Sequence, residues 1–166
     1  LTVIFSFVFV MCQQTSVDGD EEKGKNTGEN QTQTDEFLKM QIIDSAWDVG
    51  QYQDIAANSD GVYISYYDLH NGDLKFAKST DGGVTWAADK IRIVDSYNDV
   101  GRYTSIAVNG SNVYISYYDD TNGDLKFAKS ADGGDTWLNS NIKTVDSTGN
   151  IGYMTSIAVE GSNIFI

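Results

Sequence analysis

Two octapeptides hold the most regularly placed carboxylates of the chain: STDGGVTW at residues 79–86 and SADGGDTW at 130–137. Asp81 and Asp132 occupy the same place in each, 51 residues apart. A carboxylate beside glycines and a hydroxyl residue can serve as a general acid or base, ligate a metal or organise a turn. The repetition favours the turn. A single reaction centre has no use for a duplicated carboxylate, whereas each unit of a repeated structure needs its own turn. Gly83 and Gly134 permit positive φ. Asp81 and Asp132 can accept turn N–H groups, with Ser79 and Ser130 opening the motif. Thr85 and Thr136 can tie the returning strand, and Trp86 and Trp137 can pack under the turn. Other chemistry is sparse. His70 is the only histidine, and one histidine makes no metal site, so neither metal nor cofactor is expected. The two arginines are Arg92, in a strand where it should simply be solvated, and Arg102, at the start of another strand.

The elements that must position these residues repeat with the same period. VYISYYD at 62–68 returns at 113–119, and NGDLKFAKS at 71–79 returns at 122–130. Residues 52–102 and 103–153 agree at about 30 of 51 positions, so the repeat precedes any motif in the reading. Each unit contains four short runs rich in Tyr, Ile, Val and Phe, in the second unit at about 103–108, 113–119, 124–130 and 141–147. In 113–119 both faces are half apolar, which suits a sheet sandwiched between neighbouring sheets. Asn122-Gly123, Asp132-Gly133-Gly134 and Asn109-Gly110 supply the turns. Four antiparallel strands in about 50 residues is the unit of a β-propeller. The fold class expected is all-β: a partial β-propeller of four-stranded antiparallel blades with a 51-residue repeat. Blades are expected at about 52–96 and 103–147, with a truncated one at 154–166, and 37–45 reads as an outer strand that could close a ring. Two and a half blades make an incomplete fragment, expected to self-associate through its open faces.

The remaining residues point outward. Residues 1–12, LTVIFSFVFVMC, read as an export signal, too short to span a bilayer. Cys12, the only cysteine, follows the apolar run directly, as the lipidated cysteine of a lipoprotein does; an ordinary export signal with an incidental cysteine is the other reading. Either way the protein is expected to be exported, as a cell-surface or outer-membrane lipoprotein or in secreted form, meeting a membrane only through the signal or lipid. Residues 13–36 are almost all polar and read as a disordered linker. With 24 acidic against 11 basic residues the net charge is −13, which excludes nucleic acid as a partner.

The pattern Ser-x-Asp-x-Gly-x-Thr-Trp, present twice at blade spacing, resembles the Asp-box of the bacterial neuraminidase repeat family, the sialidase-like propellers. The resemblance covers about residues 38–166. It implies that the box hairpins lie away from the functional face and that the opposite loops frame a central pocket. Those loops carry Trp47, Asp48, His70, Asp99, Arg102, Asp120 and Tyr153. A sialidase of this kind needs three arginines, a Tyr–Glu nucleophile pair and an acid/base aspartate. That set is incomplete here, and the arginine-Ile-Pro signature is absent because the chain has no proline. The expected function is therefore a surface-exposed carbohydrate-binding or adhesive propeller without catalysis, with a glycan as ligand. The alternative is an exo-sialidase or related glycoside hydrolase whose catalytic residues lie mostly in missing blades.

Overall fold

The computed structural model describes residues 41–166. The expected export signal with Cys12, the expected linker at 13–36 and residues 37–40 lie outside the described residues. Ten strands run in the order β1 (Val49–Asn58), β2 (Gly61–Asp68), β3 (Asp73–Ser79), β4 (Ile91–Asp95), β5 (Val100–Asn109), β6 (Asn112–Asp119), β7 (Asp124–Ser130), β8 (Ile142–Asp146), β9 (Ala158–Glu160) and β10 (Asn163–Phe165). The only helical turns among the described residues are two three-residue 3₁₀ turns, Ala88–Lys90 and Asn139–Asn141. The fold is all-β. Strands β1-β2-β3-β4 form one antiparallel sheet, β5-β6-β7-β8 a second, and β9 with β10 a hairpin.

The first strand of each sheet begins three residues before the expected 52 and 103, and the reason is a paired bulge. Val100 stands opposite Asp119 but Ser105 opposite Ser116, so five steps on β5 match three on β6. The same offset separates Val49 and Asp54 on β1. The extra residues break the alternation that marks a strand in the sequence. Of the segment 37–45, residues 41–45 carry no strand. Asp44 nevertheless holds, against the first sheet, the place that Asp95 holds against the second.

The central strands are buried on both faces; every residue of β2 is buried, as are all but the first of β6. Tyr63, Ser65 and Tyr67 of β2 face the second sheet, where Ser65 accepts the Thr104 hydroxyl at 2.9 Å. Val113, Ile115 and Tyr117 of β6 face back, and with Leu74, Phe76 and Ile106 they form a core shared by the two sheets. Close approach depends on Gly101. A Cβ there would lie 2.7 Å from Leu74 Cα, and its φ of 107° favours glycine. Gly152 repeats the contact against Leu125 of the second sheet.

The two octapeptide hairpins join β3 to β4 and β7 to β8. Asp81 Oδ1 accepts the Ser79 hydroxyl at 2.7 Å and Thr85 N–H at 2.9 Å, while Oδ2 accepts the Thr85 hydroxyl at 2.6 Å. Asp132 repeats all three with Ser130 and Thr136. Ser79 and Ser130 in turn accept the N–H groups of Gly83 and Gly134, and the Trp86 and Trp137 indoles donate to the carbonyls of those glycines. The second hairpin also joins the sheets. Trp137 meets the Phe76 ring at 5.3 Å, and Asp135 accepts Lys90 Nζ at 3.1 Å. Arg92 is not simply solvated, because its Nε donates to the Asp135 carbonyl at 3.1 Å.

Candidate functional site

The β1 and β5 starts, the β2–β3 loops and the β4–β5 loop meet at the end of the sheets opposite the octapeptide hairpins. The bulges there place tyrosines in a backbone conformation that bulky residues avoid. Tyr52 and Tyr103 have φ of 53° and 54°, directly preceded in the bulge by Gly50-Gln51 and Gly101-Arg102. Such outliers store about 1–3 kcal/mol each and concentrate where a chain must present a side chain for use.

These bulges build a chain of rings. Tyr52 and Tyr103 have centroids 4.6 Å apart, Tyr103 and Tyr153 5.3 Å, and Tyr153 and Tyr118 4.4 Å. Tyr67 stands 6.1 Å from Tyr52. Tyr52 and Tyr153 are exposed, while Tyr67 and Tyr118 are buried beneath them.

Beside the rings lies a charged knot. Arg102 Nη2 is 3.0 Å from Asp99 Oδ2, and Nη1 is 3.2 Å from Asp120 Oδ2. Asp99 Oδ1 accepts the Tyr67 hydroxyl at 2.6 Å, and the guanidinium carbon lies 5.3 Å from the Tyr67 ring centre. Burial works against the charged guanidinium, but Tyr67, Asp99 and Asp120 hold it protonated. Burial and the bond to Asp99 push the Tyr67 phenol up to about 12. Arg102 Nε is buried and has no hydrogen-bond partner among the described residues. Two carboxylates against one guanidinium leave the knot net negative.

Of the residues expected on this face, the structure thus brings Asp99, Arg102, Asp120 and Tyr153 together. Asp48 is the counterpart of Asp99 on the first sheet, at φ 55°, and its carbonyl accepts Leu69 N–H at 3.0 Å. Trp47 is 82 % exposed and His70 is exposed; among the described residues neither bonds to the cluster. Tyr52, Tyr67, Tyr103 and Tyr118 were missed. The signal for Tyr52 and Tyr103 was the Gly-x-Tyr step at 50–52 and 101–103, which marks a bulge ending on an aromatic; Tyr67 and Tyr118 lie inside the VYISYYD strands and carried no such mark.

The knot belongs to the second unit alone. At a spacing of 51, Arg102 corresponds to Gln51 and Tyr153, and Asp120 to Leu69. Among the described residues no group of three or more His, Cys, Asp or Glu converges as for a metal. The site can therefore stack apolar ring faces on tyrosines and offer carboxylate acceptors at their edge. No family model, no curated protein and no solved structure matches the chain.

Proposed function

We propose that the two sheets are consecutive blades of an Asp-box β-propeller, and that the tyrosine rim is a non-catalytic carbohydrate-binding surface of an exported protein. The octapeptide bonds support the first part, since each carboxylate of the pattern is occupied in holding its own hairpin. The observation that carries the second is the pairing of Arg102. Its guanidinium is taken by Asp99 and Asp120, so it is not free to clamp the carboxylate of an acidic sugar. This weighs against the sialidase reading. Exposed tyrosines beside carboxylate acceptors suit a neutral sugar, whose C–H face stacks while its hydroxyls donate. The ligand is a neutral glycan, and single contacts are weak.

A glycan array probed with the full chain, followed by calorimetry on the best neutral glycan, tests this reading. Tyr153→Ala should weaken binding about tenfold, and a fluorogenic sialoside should remain uncleaved. Hydrolysis of the sialoside, or a preference for sialylated glycans that survives Tyr153→Ala, would overturn it.

A further inference from the structure

A second concavity, lined by none of the rim tyrosines, lies between the outer strand of the first sheet and the hairpin and outer strand of the second. Its volume is about 530 Å³, within the range of small-molecule sites. Trp137, Tyr97, Asp95, Ser96, Lys126 and Asn139 are among its lining residues. Asp95 and Lys126 are buried and fixed: Asp95 Oδ2 accepts Lys126 Nζ at 2.5 Å and the Tyr117 hydroxyl at 2.6 Å, and Oδ1 accepts Tyr97 N–H at 3.0 Å. A carboxylate has about four lone-pair positions and an ammonium three protons. Asp95 thus keeps one acceptor position, and Lys126, shared between Asp95 and Asp119, keeps a donor. The Ser96 hydroxyl and the Asn139 side-chain amide are bonded to no other described residue.

We propose that this cleft is a separate saccharide site that takes one neutral pyranose. The C–H face of the ring lies on Trp137 or Tyr97, and vicinal hydroxyls meet the spare acceptor of Asp95 and donor of Lys126. Lys126 faces two carboxylates, Asp95 and Asp119, so the polar end of the cleft disfavours an anionic ligand and suits a neutral one. The repeat adds an internal comparison. Asp44, Lys75 and Trp86 reproduce Asp95, Lys126 and Trp137 one unit earlier, but Ala46 and Ala88 stand where Tyr97 and Asn139 are. The frame is constant and the exposed contact positions change, as they do where loops on a fixed scaffold carry recognition.

The proposal stands without the rim, and the experiment separates them. Methyl β-glucoside, methyl β-galactoside, methyl α-mannoside and N-acetylglucosamine are titrated into the ¹⁵N-labelled full chain. The Trp137 indole N–H signal, assigned with Trp137→Phe, reports the cleft. At least one sugar should shift that signal saturably. Tyr97→Ala and Asn139→Ala should each weaken the response about fivefold or more, a loss of about 1 kcal/mol, with unchanged melting because both side chains are exposed. Tyr153→Ala should leave it intact. No saturable shift with any of the four sugars overturns the proposal. So does a shift unaffected by both cleft variants, or one abolished by Tyr153→Ala.

Discussion

Asp95, the last residue of β4, places its carboxylate 2.5 Å from Lys126 Nζ on β7 of the next sheet, and both are buried. Asp44 and Lys75 make the same pair one unit earlier, with Tyr66 in the place of Tyr117. Burial works against the charged form of Asp44, but the Lys75 ammonium, Ala46 N–H and the Tyr66 hydroxyl outweigh it and lower its pKa. Removing one member of a buried pair strands the other. Asp95→Ala should therefore cost about 3 kcal/mol in a urea titration, while Asp95→Leu combined with Lys126→Met should recover more than half of that. A single-variant loss below about 0.5 kcal/mol would show the pair to behave as a surface ion pair.

The glycine at the sheet-to-sheet contact gives a graded test. Gly101→Ala must find room for a Cβ 2.7 Å from Leu74 Cα at φ 107°, whereas Gly110, at φ 55°, faces open space. Both variants carry backbone strain, but only the first forces the sheets apart. Gly101→Ala should lose about 3 kcal/mol and Gly110→Ala about 1 kcal/mol by thermal melt. Equal losses would mean that backbone conformation, and not the approach of the sheets, sets the requirement for glycine.

The hairpin carboxylates set an acid limit. The Thr85 hydroxyl first, with Thr85 N–H and Ser79, lowers Asp81 to about 2; at Asp132 slight burial is outweighed by Thr136 and Ser130, again giving about 2. Folded values below the unfolded carboxylate value mean that this stabilisation is complete above about pH 4 and disappears as pH falls toward 2. Asp132→Ala should cost about 1 kcal/mol at neutral pH and flatten that acid limb, without altering glycan binding. Selective loss of binding with unchanged stability would contradict the turn role.

Tyr67 supplies the opposite limb. Its phenol is pushed up to about 12, first by burial and then by its bond to Asp99. The fold favours the neutral form, so this stabilisation is complete below about pH 10 and is lost as pH rises through 12. Tyrosinate absorbance should show several late-titrating groups, because Tyr66, Tyr117 and Tyr118 are also raised, and one fewer of them near pH 12 in Tyr67→Phe. Full titration near pH 10 in the folded protein would refute the bond's strength.

The first sheet presents an uncovered face. Ile55 is 45 % exposed, while Ile106, its counterpart, is 5 % exposed beneath the first sheet. The chain should therefore self-associate in size-exclusion chromatography as concentration rises, and Ile55→Lys should shift it toward monomer. A monodisperse monomer at all concentrations would show the face to be tolerated.

Much of this was legible because the repeat doubles every signal. The duplicated turns fixed where strands end, and the two-sided apolar character of 113–119 marked a strand covered on both faces. The charged knot was legible only in part. Asp99, Arg102 and Asp120 were assigned to one face, but their mutual pairing depends on a bulge that shifts β5 by two residues against β6. Lys75 and Lys126 were invisible as buried groups, because lysine in a strand reads as solvent-facing and each partner lies 31 residues earlier. The alternating tyrosines of 66–67 and 117–118 concealed a division of labour. Tyr66 and Tyr117 bond back to Asp44 and Asp95, whereas Tyr67 and Tyr118 bond forward to Asp99 and Asn150.

The backward-pointing pairs give the molecule a direction in time. During synthesis Asp44 leaves the ribosome before Lys75, and Asp95 before Lys126, so each incoming lysine meets an acid already in place. A sheet emerging later docks on one whose own ionic tie can already be closed, and no buried ammonium has to wait for a carboxylate not yet translated. The repeat can thus assemble as a one-way zipper, N-terminal unit first, at the pace of translation.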